Sequence, residues 1–134
     1  MPTLGGGGTA GPQGPAGPPG PQGPAGTNGT QGPPTLTILT KNASFTLSAA
    51  EAGYHYECSS PSAIVVTIPL NATVAIPVGT MFEGHKDDAG AVSFTTAAGV
   101  NCYMTMGTAC RAVGSPWQLI KLHTDAWLLS GDLQ

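Results

Sequence analysis

Three histidines and three cysteines are the side chains of this sequence best suited to nucleophilic catalysis or metal binding. They are His55, His85, His123, Cys58, Cys102 and Cys110. Nucleophilic catalysis needs a serine or cysteine beside a base, and a third group that orients the base. The histidines are scattered along the chain and lie in no recognisable catalytic motif. We therefore predict that the protein is not an enzyme and has neither catalytic residues nor a cofactor.

The spacing of the cysteines does not predict a metal site either. Zinc ligands usually occur as closely spaced pairs, and Cys102 and Cys110 lack that spacing. These two cysteines could instead meet across a hairpin and leave Cys58 unpaired. Because a protein assembled in a cytoplasm keeps its thiols reduced, we expect no obligatory disulfide.

The most polar short segment runs from Glu83 to Asp88 and predicts a surface loop. Loops carry recognition more often than strands do, because strands are committed to pairing and packing. We therefore take its polar side chains as candidate contacts with a saccharide; they are Glu83, His85, Asp87 and Asp88. The alternative is an ordinary solvated hairpin turn.

The candidate residues above all follow a segment that has glycine at every third position. These glycines are Gly11, Gly14, Gly17, Gly20, Gly23, Gly26, Gly29 and Gly32. In a collagen triple helix only glycine fits at the crowded axis, and proline favours the extended chain. Residues 11–34 therefore predict a collagen-like stalk and a homotrimer, with a flexible Gly/Pro linker as the alternative. On a trimer axis, three copies of His55, His85 or His123 could also surround an ion.

The residues between the glycines indicate the source of the protein. Glutamine, alanine and asparagine fill most second places of the triplets, where animal collagens carry stabilising hydroxyproline. The pattern favours a chain made without the hydroxylase, as in bacteria and phages. Because the segment also contains no charged residue, we expect another part of the chain to hold the three strands in register.

Residues 35–134 predict an all-β domain that could serve as this clamp. Apolar and hydroxyl residues alternate in short runs, and turn residues separate the runs. The predicted strands are 35–40, 44–48, 54–58, 64–68, 73–76, 80–83, 91–96, 100–104, 117–123 and 126–130, with one helical turn within 48–53. We predict that this domain is a small β-sandwich or partly closed barrel. The predicted fold class of the whole protein is an N-terminal collagen triple helix plus this all-β domain, in an obligate homotrimer.

Charge is scarce in this chain. Four lysines and arginines and seven acidic residues give a net charge of −3, and there is no basic patch, phosphate-binding loop or transmembrane span. Nucleic acid and membrane insertion are therefore poor expectations. A surface with so little charge also suggests burial against neighbouring protomers, although a coat of serine, threonine and alanine would contribute.

Several segments, taken in order, resemble a module of bacteriophage fibre and virion-surface proteins. They are 45–53 (FTLSAAEAG), 62–69 (SAIVVTIP), 76–80 (IPVGT), 90–94 (GAVSF), 119–122 (LIKL) and 124–133 (TDAWLLSGDL). Collagen-like stalks recur in the same phage proteins. Residues 83–88 and 101–111 depart from the pattern, so no ligand specificity is carried over to them.

The resemblance implies a structural virion protein, assembled in the bacterial cytoplasm and displayed on the virion surface. Residues 1–10 would attach to a capsid or tail protein through Pro2, Thr3 and Leu4, residues 11–34 would form the stalk, and residues 35–134 would form a knob that trimerises. An attachment peptide this short favours a capsid head fibre or decoration protein, with a small receptor-binding tail fibre as the alternative. A secreted, collagen-stalked, lectin-like protein is disfavoured because the N-terminus does not resemble a signal peptide.

Overall fold

The computed structural model describes residues 10–27, 29, 35–104 and 106–134. The chain divides into two units, Met1–Gly32 and Pro33–Gln134. In the first unit, residues 10–27 and 29 form neither helix nor strand, and all of them are exposed. The predicted attachment residues Pro2, Thr3 and Leu4 and the last stalk glycine, Gly32, lie outside the described residues.

The described residues of the second unit, 35–104 and 106–134, form nine strands and one short 3-10 turn. They are β1 (Ile38–Lys41), β2 (Phe45–Thr46), the turn at Ala49–Glu51, β3 (His55–Cys58), β4 (Ile64–Ile68), β5 (Met81–Lys86), β6 (Val92–Thr96), β7 (Asn101–Met104), β8 (Pro116–His123) and β9 (Ala126–Gly131). The Ser48 hydroxyl accepts a hydrogen bond from the Ala50 N–H and so caps the turn. The helical turn predicted within residues 48–53 is confirmed.

The first six strands alternate between two sheets. Strands β1, β3 and β5 pair in parallel in one sheet, and β2, β4 and β6 pair in parallel in the other. The chain thus winds through three successive coils, each contributing one strand to each sheet. Strand β8 continues the first sheet antiparallel to β5, and β9 and β7 complete the order β1-β3-β5-β8-β9-β7.

This winding makes the domain β-solenoid-like, and the predicted fold class is wrong. The described residues contain neither a collagen triple helix nor the small sandwich or partly closed barrel that was expected. A sandwich and a solenoid place the same alternating strands on two facing sheets and differ in which strands pair. Here each strand pairs with the strand one coil away, as in Ile38 with His55 and His55 with Glu83. The spacing of turn residues along the sequence does not show which strands pair with one another.

The boundaries of most strands agree with the sequence-based expectations to within two residues, with three exceptions. Strand β1 begins at Ile38 rather than at residue 35. No strand forms at residues 73–76, because the chain turns at residues 71–73, where the Thr73 and Val74 N–H groups donate to the Leu70 carbonyl. Strand β5 extends through Lys86 and includes four of the six residues predicted as a loop. Thr124 and Asp125 form the turn of a hairpin that joins the antiparallel strands β8 and β9.

The core lies between the two sheets. Buried aliphatic residues of β4 and β6 face the aromatic residues Tyr56, Phe82, Trp117 and Trp127 of the larger sheet. The ring centroids of Phe94 and Trp117 lie 5.1 Å apart in an edge-to-face arrangement across this core. Both tryptophans are 1% exposed and belong to the core. Among the described residues, no helix is long and apolar enough to cross a membrane.

Candidate functional site

The outer face of the larger sheet carries a group of titratable side chains on β3 and β5. Successive side chains of a strand point to opposite faces, so Tyr56 and Phe82 enter the core while their neighbours face outward. The outward residues are His55 and Glu57 on β3, Glu83 and His85 on β5, and Asp87 just after β5. We call these five residues the histidine cluster.

The position of β3 is fixed from the core side by Tyr56. Its hydroxyl donates to Glu51 Oε2 at 3.0 Å, and Glu51 Oε1 accepts from Lys41 Nζ at 2.8 Å. Burial raises the pKa of Tyr56 well above its ordinary value, and the hydrogen bond to the Glu51 carboxylate raises this pKa further. The phenol therefore stays protonated and holds β3 against β1 and the 3-10 turn, with His55 and Glu57 directed outward.

On β5 the corresponding inward position is Gly84, between Glu83 and His85. A Cβ atom at this position would overlap the Tyr56 carbonyl oxygen and would lie 2.7 Å from Trp117 Cζ2. Glycine lets the two strands and the indole ring approach closely. The close approach brings the outward side chains of β3 and β5 into contact.

The two histidines form the centre of a chain of polar contacts. His55 Nε2 and His85 Nδ1 lie 2.9 Å apart, so one of these nitrogens donates to the other. At the outer ends, His55 Nδ1 lies 3.5 Å from Glu83 Oε1, and His85 Nε2 lies 3.8 Å from Asp87 Oδ1. A carboxylate thus flanks the histidine pair at each end.

A third carboxylate, Glu57, lies beside His85. One oxygen of Glu57, Oε2, accepts a hydrogen bond from Thr40 Oγ1 at 3.2 Å. Ligand atoms from Glu57, His85 and Asp87 all lie within 4.8 Å of one another. Three carboxylates around two imidazoles make the cluster locally acidic, so its chemistry suits a cation rather than an anion.

The structure corrects the predicted loop and brings together part of the predicted recognition set. Glu83 and His85 lie in strand β5, whereas Asp87 and Asp88 follow it. Asp88 is outside the histidine cluster, and its Oδ1 accepts from the Ala89 N–H. His123 lies at the end of β8 and is exposed. Cys58, Cys102 and Cys110 are free thiols.

The alternation of polar and buried residues in two segments of the sequence points to His55 and Glu57 as site residues. In His55–Cys58 and in Phe82–Asp87, histidine and acidic residues alternate with buried residues. Each pattern predicts that its polar side chains share one face of a strand. The pairing of the two strands decides whether these faces meet, and that pairing became visible only in the fold.

Two surface depressions lie near these elements. A groove of about 250 Å³ borders the histidine cluster and is lined by His55, Glu83, Gln118 and Ser130, among others. A second depression, of about 330 Å³, includes Lys121. The Lys121 ammonium donates to Asn71 Oδ1 and to the Ile76 carbonyl, each at 2.6 Å, so it serves to hold the 69–79 segment against β8.

The chain was compared with known proteins in three ways, and no family model, curated protein or solved structure matches it.

Proposed function

We propose that this protein is a structural fibre on the surface of a bacteriophage particle, built from three copies of the chain. Residues 11–34 form the stalk, residues 35–134 form the knob, and the N-terminal residues contact a capsid or tail protein. The observation that carries the proposal is the unbroken spacing of glycine in the stalk.

Contacts within one chain do not account for this spacing. At each described stalk glycine from Gly11 to Gly29, an added Cβ would meet no atom within 4 Å. None of these glycines has a positive φ. Glycine at every third residue is what three extended chains need when they pack closely around a common axis. The spacing therefore supports association of three copies.

The knob offers a surface for contacts between copies. On the outer face of the larger sheet, four apolar side chains lie side by side across β5, β8, β9 and β7: Met81, Ile120, Leu128 and Tyr103. Met81 is 46% exposed and Tyr103 is 60% exposed. Apolar patches of this kind on a soluble protein often mark protein–protein contacts, so this stripe supports packing of the knob against a second copy.

A role on a virion rests on the sequence resemblance and on the composition of the stalk. The low charge of the knob is consistent with partial burial between copies. Within this proposal, a fibre on the capsid and a small fibre on the tail differ only in the protein that holds the N-terminus.

The test is to locate the chain on purified phage particles that encode it. Antibody raised against the knob, followed by gold labelling and electron microscopy, should mark projections from the particle surface. Labels around the head would assign the fibre to the capsid, and labels at the tail would assign it to the tail. If purified particles contain no such chain by mass spectrometry, the proposal is wrong.

A second role, contact of the knob with a host-surface saccharide, is favoured by the groove that His55 and Glu83 line beside the rest of the histidine cluster. Three copies of a weak site would gain from avidity. Replacing Glu83, His85, Asp87 and Asp88 by serine should reduce binding of purified protein to host cells, measured by flow cytometry. A variant with serine at the exposed residues Thr108 and Arg111 serves as the control. Equal binding by both variants would contradict the role in saccharide contact but not the structural role.

A further inference from the structure

We propose that Glu57, His85 and Asp87 form a binding site for a divalent first-row transition metal ion, with Zn²⁺ as the reference ion. This site lies on the outer face of β3 and β5 and does not depend on the proposed role of the protein on a virion. Its three ligands would be two carboxylate oxygens and one imidazole nitrogen.

The ligand atoms are close to the required arrangement. A zinc ion about 2.1 Å from each ligand needs ligand atoms roughly 3.4 Å apart, whereas these atoms lie within 4.8 Å of one another. Asp87 is exposed and follows the end of β5, so its side chain has room to turn toward the other two ligands. The Asp87 N–H donates to the Cys58 carbonyl at 2.9 Å, which anchors its backbone next to β3.

The ring nitrogen of His85 that faces the carboxylates is available for a metal. His85 Nδ1 is engaged by His55, while Nε2 faces Asp87. If Nε2 binds the metal, Nδ1–H donates to His55 Nε2, and His55 Nδ1–H then points toward Glu83 Oε1. The chain of contacts from His85 to Glu83 is therefore satisfied in one consistent pair of tautomers.

This arrangement matches what metal-binding histidines require beyond the metal itself. Such a histidine usually donates its second ring N–H to a neighbour that fixes the tautomer and orients the ring. His55, supported by Glu83, supplies that neighbour, and Thr40 fixes Glu57 Oε2 and leaves Oε1 for the ion. His55, Glu83 and Thr40 are positioning residues of the site.

The ligand set selects the class of ion. Calcium takes six to eight oxygen ligands, and magnesium prefers oxygen ligands and retains several waters. An imidazole nitrogen with two carboxylates instead suits Zn²⁺ and its neighbours in the first transition row. Three protein ligands also leave a position open to water or to an external ligand.

The site is tested by isothermal titration calorimetry of the full-length chain with Zn²⁺, and by the absorption spectrum of the Co²⁺-loaded protein. We expect one Zn²⁺ per chain, no comparable binding of Ca²⁺, and a Co²⁺ spectrum without a sulfur charge-transfer band. Replacement of the ligand in His85→Ala should abolish this binding, while the control His123→Ala should bind as the wild type does. Far-UV circular dichroism checks that each variant is folded.

The role of His55 is tested separately. His55→Ala should weaken Zn²⁺ binding about 10- to 100-fold, and His55→Gln should restore much of it because its side-chain oxygen can accept the His85 Nδ1–H. In ¹⁵N NMR spectra the wild-type His85 should carry its proton on Nδ1 when zinc is bound. Absence of zinc binding by the wild-type chain, binding unchanged in His85→Ala, or a sulfur charge-transfer band would each overturn the proposal.

Discussion

At the scale of single residues, the cysteines differ in their expected reactivity. Burial raises the pKa of all three thiols, that of Cys58 to about 12 and that of Cys110 to about 11. Cys58 and Cys110 are also only 1% and 3% exposed, so a reagent does not reach them in the folded chain, whereas Cys102 is partly exposed. We expect one thiol per folded chain to react with a disulfide reagent at pH 8, and three to react in denaturant.

The control for this experiment is Cys102→Ser, which should remove the reaction of the folded chain and leave two thiols in denaturant. Rapid reaction of all three thiols in the folded chain would contradict the burial of Cys58 and Cys110 in the core.

The histidine cluster shows how far residue patterns predict a site. The sequence indicated that residues 83–88 were chemically distinctive, and Glu83, His85 and Asp87 do lie together in the structure. The missing partners, His55 and Glu57, come from β3, which is far away in sequence. Their contact with His85 depends on the register of β3 against β5 and on the small volume of Gly84. The register does not follow from the local sequence, and neither does the close approach of Tyr56 and Trp117 to Gly84.

At the scale of elements, a buried lysine holds a connection in place. Lys121 on β8 is 2% exposed and donates to Asn71 and to the Ile76 carbonyl. Lys121→Met keeps a similar volume but leaves the Ile76 carbonyl without this donor. We expect the free energy of unfolding to fall by about 1–3 kcal/mol, measured by urea denaturation.

The matched control is Gln118→Met, on the outward face of the same strand, which should change the unfolding free energy by less than about 0.5 kcal/mol. Equal stability of Lys121→Met and the wild type would show that the hydrogen bonds of Lys121 do not hold the 69–79 segment.

The elements themselves were largely predictable, and their arrangement was not. Alternation of apolar and hydroxyl residues located β4, β6, β8 and β9 to within one or two residues, because one face of each strand is buried. The same alternation is compatible both with antiparallel β-sandwiches and with the parallel strands of a β-solenoid. The choice between them lies in contacts such as Ile64 with Val92, which join residues of different coils.

At the scale of the whole molecule, the glycines of the stalk should matter for assembly. Gly20→Ala introduces a methyl group where the proposed packing of three chains would leave no room, although a single chain offers ample space there. We expect the oligomer of this variant to dissociate at a lower temperature than the wild type. The readout is light scattering during heating, together with circular dichroism of the stalk.

Gln22→Ala is the matched control, because it changes the same triplet without breaking the glycine period, and it should behave much more like the wild type. Identical dissociation of the Gly20→Ala and Gln22→Ala variants would indicate that the segment is a linker along which the chains do not pack.

The central claim is that three copies of this chain assemble into one homotrimer. Sedimentation equilibrium of the full-length protein tests this claim most directly. The account predicts a single species with three times the chain mass of 13.4 kDa, unchanged on dilution through the micromolar range. A species with the mass of one chain across that range would contradict the account.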